Sequence, residues 1–210
     1  MSRRKIFTGA YIISKRLTFE SKPIFSQRMN PSDFIAKVLC AALWEDKARH
    51  LLMSAKVLRS ALEPSIKAKG CPEGDDWHQL ATYYLLVHFA LENLLKAIEV
   101  KSKPVELAAE MKERCKLPET LRTSDHDISD LAKKYNVIEQ EVGHEAMLKK
   151  LQHCAVWYGR YPVGVSVAKT ENFYQSEFVD FPVSLTSWCT TDFQDLDTII
   201  ERAIIRLKTA

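Results

Sequence analysis

Leu80, Tyr84, Val87, Leu91, Leu94 and Ile98 succeed one another at intervals of four, three, four, three and four residues. A helix of 3.6 residues per turn places all six on one stripe, so the spacing predicts an apolar-faced helix of about 25 residues at the centre of a bundle. The same period runs upstream through Ile35, Val38 and Ala42 and then Leu51, Ala55, Leu58 and Leu62. Asn30-Pro31-Ser32-Asp33 gives that stretch a start: a capping side chain, a proline suited to the first helical position and an acid at the positive end of the dipole. One long helix ending at Pro64 is expected, followed by a loop to Asp75 that holds Gly70, Pro72 and Gly74.

Lys103-Pro104 ends the central helix, and Val105 to Arg114 reads as a shorter one closed off by Pro118. Ser124 or Asp125 can cap a helix through Ile128, Leu131 and Tyr135 that stops near Asn136. Leu148, Leu151, Ala155 and Tyr158 mark a further helix, preceded by Glu139, Glu141 and Glu145 and terminated by Pro162. Val163, Val165 and Val167 give a weak strand signal, and Phe173, Tyr174, Phe178, Phe181 and Trp188 lack helical period. This stretch reads as a long aromatic loop packed back onto the bundle. Thr191-Asp192-Phe193-Gln194 has the form of a capping box, and Leu196, Ile200, Ala203 and Leu207 form the stripe of a last helix whose Arg202, Arg206 and Lys208 suit its negative end. The fold class is therefore all-α: an antiparallel multi-helix bundle with a long aromatic loop and a C-terminal helix. No internal repeat interrupts it.

Residues 1–29 stand apart. They carry Arg3, Arg4, Lys5, Lys15, Arg16, Lys22 and Arg28 against one acid, Glu20, and lack the apolar run of a secretory signal. They read as a basic N-terminal arm, flexible or upstream of a start at Met29, or as an extended strand that packs Tyr11-Ile12-Ile13 and Phe19 on the bundle. Residues 30–210 form a single helical domain, which a chain of 210 residues can supply with a substantial core.

Composition narrows the class of protein. With 46% hydrophobic and 27% charged residues, the chain has the balance of a water-soluble globular protein. A net charge of +3 permits nucleic acid as a partner without the concentrated positive charge of a dedicated duplex binder. The longest apolar stretch, Tyr83 to Leu91, is broken by His88 and is too short to span a bilayer, which needs about 20 residues. Five cysteines form no CxxC pair, and an odd number cannot all pair within the chain, so a reducing, cytoplasmic setting is expected.

Several polar residues invite chemistry. His88, Glu92 and Lys96 are spaced by four and share one helix face; they form either a solvated face with a Glu92 to Lys96 pair or a stripe that faces a ligand. As a zinc site the line has too few ligands. His126 and Asp127 fall at a helix start, where free N–H groups favour phosphate, or where Ser124 or Asp125 simply caps the turn. Arg160 can bind phosphate, hold a carboxylate such as Glu92, or close its helix near the negative dipole end. Cys154 beside His153 reads as a buried thiol, because neighbours in sequence do not face each other on a helix. Glu45 to Arg49 and Asp46 to His50 are ordinary helical ion-pair spacings. The chain has no P-loop, dinucleotide-binding glycine pattern, HExxH or GxSxG.

Three segments in order, Ala90-Leu91-Glu92-Asn93-Leu94-Leu95-Lys96-Ala97, His126-Asp127-Ile128-Ser129-Asp130-Leu131 and Trp157-Tyr158-Gly159-Arg160-Tyr161-Pro162, resemble the signatures of the HEPN family of small helical domains. The resemblance covers roughly Asn30 to Pro162. It implies a homodimer that binds a nucleotide or single-stranded RNA in a groove to which Glu92, Lys96, His126, Asp127 and Arg160 contribute, with no metal and no cofactor. Family members of this form are often paired with a small nucleotidyltransferase or work in defence or toxin and antitoxin systems. Many others are metal-independent ribonucleases in which an arginine is followed, after four to six residues, by a histidine. This chain has no such pair: Arg122 and His126 enclose three residues and precede a helix. The departure favours binding without cleavage. Two alternatives remain, a divergent ribonuclease that uses Arg122 and His126, and a helical interaction module that docks a partner through Phe173 to Trp188.

Overall fold

The computed structural model describes residues 30–114, 116–122, 127–138, 142–155 and 191–210. Among them every regular element is helical, as the periodicity predicts: α1 (Pro31–Val38), α2 (Ala41–Lys69), α3 (Asp76–Ser102), α4 (Pro104–Arg114), a 3-10 turn (Glu119–Leu121), α5 (Ser129–Lys134), α6 (Val142–His153) and α7 (Asp192–Thr209). The basic arm, the valine-rich stretch and the aromatic loop lie outside the described residues.

The long helices α2 and α3 pack side by side across a short connection, and α6 and α7 cover α3 from other directions. Every position of the predicted stripe on α3, from Leu80 to Ile98, is buried. So are Tyr83, Ala90, Leu95, Ala97 and Val100, because neighbours on several sides leave α3 without a solvent face along much of its length. Ala48, Ala55 and Leu62 of α2 and Leu196, Ile199 and Ala203 of α7 complete this core. A second, smaller cluster joins Val38 of α1 and Val100 of α3 to Leu107 and Met111 of α4 and to Leu121.

Three boundaries and one cap differ from the sequence reading. The expected long first helix is broken at Leu39 and Cys40, where Cys40 adopts an extended backbone. Phe34, Ile35 and Val38 thereby pack into the α4 cluster, and the Trp44 indole N–H spans the break by donating to the Val38 carbonyl at 2.8 Å. Nor does Pro64 end α2. It falls on an exposed face, where water can replace the donor it lacks, and the helix continues to Lys69. Gly70 closes it in the left-handed conformation at φ 79°, its N–H donating to the Ile66 carbonyl at 2.7 Å.

The third correction concerns α5, which begins at Ser129 rather than at Ser124 or Asp125, with Ile128 at its cap position. Its end is where the sequence places it: Asn136 takes the left-handed conformation at φ 52°, and the Asn136 and Val137 N–H groups return to the Lys133 and Ala132 carbonyls. This double closure is a Schellman motif with asparagine in the glycine position. Finally, the expected capping box at α7 does not form, since Thr191 makes no side-chain cap. Asp192 is instead drawn into the core, as described below.

Candidate functional site

Because α3 is covered on several sides, its polar residues go inside with the rest. His88, Glu92, Lys96 and Glu99 are all buried, with relative exposures of 0, 5, 8 and 0%. The solvated-face alternative for His88, Glu92 and Lys96 is therefore excluded. Lys96 Nζ donates to Glu92 Oε1 at 2.6 Å and lies 5.5 Å from the centre of the Trp44 ring, so a cation–π contact supports the charge that burial penalises.

One turn further on, Glu99 extends the polar line. Its Oε2 accepts a hydrogen bond from Lys134 Nζ at 2.5 Å and another from the Tyr135 hydroxyl, which ties the end of α5 to α3. Burial works against the Lys134 charge, but the hydrogen bond and negative charge of Glu99 outweigh it and hold the ammonium above its ordinary pKa. Burial, with Glu99 adding to it, pushes the Tyr135 phenol up as well. Glu99 Oε1 is buried without a hydrogen-bond partner.

A second buried polar cluster joins three helices. Lys150 of α6 donates to Asp192 Oδ2 of α7 at 2.5 Å, and the Tyr84 hydroxyl of α3 donates to the same oxygen at 2.6 Å. Burial, reinforced by the Asp192 charge and hydrogen bond, raises Tyr84 well above the ordinary phenol range. The adjoining Cys154 thiol is pushed up to about 12 by burial, with Lys150 opposing. Cys154 is thus the inert buried thiol that the sequence suggests.

The expected site residues fare unequally. Glu92 and Lys96 are brought into direct contact. Asp127 is exposed, and its Oδ1 accepts the Ser129 N–H at 2.9 Å, so it satisfies one of the free N–H groups at the start of α5 from just outside the Ile128 cap position. Arg122 is exposed at the end of the 3-10 turn. His126 and Arg160 lie outside the described residues. Asp46 pairs with Arg49, at 2.5 Å, and with His50, so the pair expected of Arg49 forms with Asp46.

Glu99, Lys150 and Asp192 were not anticipated. Glu99 carried a legible signal, standing three residues after Lys96 on the same helix. Lys150 stands next to Leu151 among the apolar positions of α6, and Asp192 was absorbed into a capping motif. Among the described residues no group of histidine, cysteine, aspartate or glutamate is arranged to hold a metal, and no helix is long and apolar enough to cross a membrane. No family model matches the chain, and no curated protein or solved structure is significantly similar to it.

Proposed function

We propose that this chain is a HEPN-like helical protein that binds a nucleotide or a single-stranded RNA segment without cleaving it, and that it acts as a homodimer. The observation that carries the reading is the buried Glu92 and Lys96 pair. An ion pair taken out of water contributes little net stability, because desolvation offsets its attraction, and the Glu92–Lys96 hydrogen bond itself lies within one helix, Lys96 reaching α2 through the Trp44 ring. Its retention inside α3 fits a polar stripe kept for recognition. In this reading Lys96 meets phosphate, Glu92 orients it, and His126, Asp127 and Arg160 complete the groove. A small nucleotidyltransferase, or a counterpart in a toxin and antitoxin or defence system, is the proposed partner.

Isothermal titration of the purified homodimer against ribonucleoside triphosphates and a short single-stranded RNA tests this. Saturable binding that is lost in Arg160→Ala, with the thermal midpoint unchanged, is the expected result; absence of binding by every ligand overturns it.

One observation favours the ribonuclease alternative. Arg122 is exposed, and no described carboxylate pairs with it, as a phosphate ligand would require. Cleavage of RNA by the wild type, abolished in both Arg122→Ala and His126→Ala, would establish that reading in place of the first.

A further inference from the structure

A groove of about 510 Å³ opens where α2, α3 and α7 meet. Its walls follow from helical spacing. Leu52 and Ala55 of α2, Val87 of α3 and Ile200 of α7 give an apolar lining, while Lys56, Arg59 and Glu63 step along the same side of α2 by three and four residues. Tyr83, one turn before Val87 on α3, lines the groove as well.

That end is firmly built. Arg59 Nη1 donates to both carboxylate oxygens of Asp197 at 2.7 Å, and Nε lies 3.5 Å from Glu63. The guanidinium sits 4.6 Å from the centre of the Phe193 ring, which meets Tyr83 edge-on at 5.2 Å. Arg59 is fixed in place with two carboxylates around it. Lys56 lines the same groove, is exposed, and forms no ion pair with a described carboxylate.

We infer that this groove is a binding site for a small amphipathic anion, with a single acidic group set against Lys56 and an apolar ring body against Leu52, Val87 and Ile200. The volume falls within the range of small-molecule sites, about 300 to 1,000 Å³, and an apolar lining with a few convergent polar groups is their usual chemistry. Charge fixes the class of ligand. Arg59 and Lys67 are together balanced by Asp197 and Glu63, Lys67 Nζ lying 3.3 Å from Glu63, so Lys56 is the one cation left to be met and a ligand with one negative charge matches it. A carboxylate or sulfonate fits; a phosphate monoester, which carries about −1.5 to −2 at neutral pH, and a triphosphate do not. None of these residues is among those proposed for the nucleotide groove.

The test uses 8-anilinonaphthalene-1-sulfonate, which carries one sulfonate on an apolar aromatic body and fluoresces when removed from water. Titration of the full chain should show one saturable site per chain. Lys56→Glu, a surface change, should weaken it about tenfold without moving the thermal midpoint. Ile200→Trp, which fills the groove from the α7 wall, should abolish it. Competition then checks the class of ligand: displacement by 2-naphthoate identifies an aromatic acid, and displacement by AMP or ATP overturns the single-charge assignment. Binding that does not saturate, or that is unchanged in Lys56→Glu, overturns the inference.

Discussion

Glu92 with Lys96 and Lys150 with Asp192 are both buried ion pairs, yet they are built for different ends. The first closes within one turn of α3. The second runs from α6 to the first residue of α7, and through the Tyr84 hydroxyl it reaches α3 as well. Both carry the desolvation cost of buried charge; the second offsets it with charge-assisted hydrogen bonds between helices that fix where the C-terminal helix meets the core, whereas Lys96 meets α2 through its cation–π contact with Trp44. A charged pair whose hydrogen bond stays within one helix is a better candidate for function than one whose hydrogen bonds link three helices.

The largest expected effect breaks the structural pair. Lys150→Met leaves a buried carboxylate without its cation and should destabilise the chain by about 3–5 kcal/mol, read from urea unfolding. The double variant Lys150→Met with Asp192→Leu removes the stranded charge too and should recover most of that loss. A loss below about 1 kcal/mol in Lys150→Met would mean that the C-terminal helix is positioned by its apolar stripe alone.

The α3 pair should respond differently. Glu92→Gln combined with Lys96→Met is expected to change stability by no more than about 1 kcal/mol, since removing both members of a buried pair is often neutral. The same double variant should lose nucleotide or RNA binding. If it instead unfolds as readily as Lys150→Met, the contrast between the two pairs fails, and with it the observation that carries the proposed function.

Alkaline pH sharpens the comparison from another side. Burial raises Tyr84 well above the ordinary phenol value of 10.0 and pushes Tyr83 up to about 12. A group whose pKa is higher in the fold than in the unfolded chain gives stability that is intact below the unfolded value and lost as pH rises beyond it. The thermal midpoint should therefore fall as pH climbs from about 10 toward 12, and Tyr84→Phe should make that fall shallower. An identical slope in the variant would remove Tyr84 from the account. Thiol chemistry reports on the same region at neutral pH: Cys71 is exposed and should alkylate readily, whereas Cys154 should label only on unfolding. Peptide-level mass spectrometry after a timed pulse of iodoacetamide distinguishes them, and rapid labelling of Cys154 in the native state would show that the cluster opens.

How much of this was legible in the sequence depends on what decided each feature. The stripe from Leu80 to Ile98 could be read because burial of one helix face leaves a periodic trace, and all six residues are buried. The break at Leu39 and Cys40 could not, since the apolar period continues through it; what divides the helix is the packing of Val38 with Leu107 and Met111. Pro64 was overread because a proline's cost depends on whether its turn faces solvent, a tertiary fact. For the site, spacing placed His88, Glu92 and Lys96 on one face but could not say whether that face would be covered. Periodicity gives direction around a helix axis, while burial depends on the neighbours that arrive there.

Asp127 gives the finest cut between structure and function. Its carboxylate accepts the Ser129 N–H at the start of α5, and it also belongs to the set proposed above for the ligand. As a cap alone, Asp127→Ala should cost about 0.5–1 kcal/mol, while Asp127→Asn, which keeps an acceptor oxygen, should cost almost nothing. A carboxylate needed for recognition behaves otherwise: the asparagine variant would keep its stability and lose affinity. Measured side by side by urea unfolding and titration calorimetry, parallel losses in Asp127→Ala with none in Asp127→Asn would confine the residue to capping. Full stability with weakened binding in Asp127→Asn would place its charge at the ligand, next to a helix start whose capping it also performs.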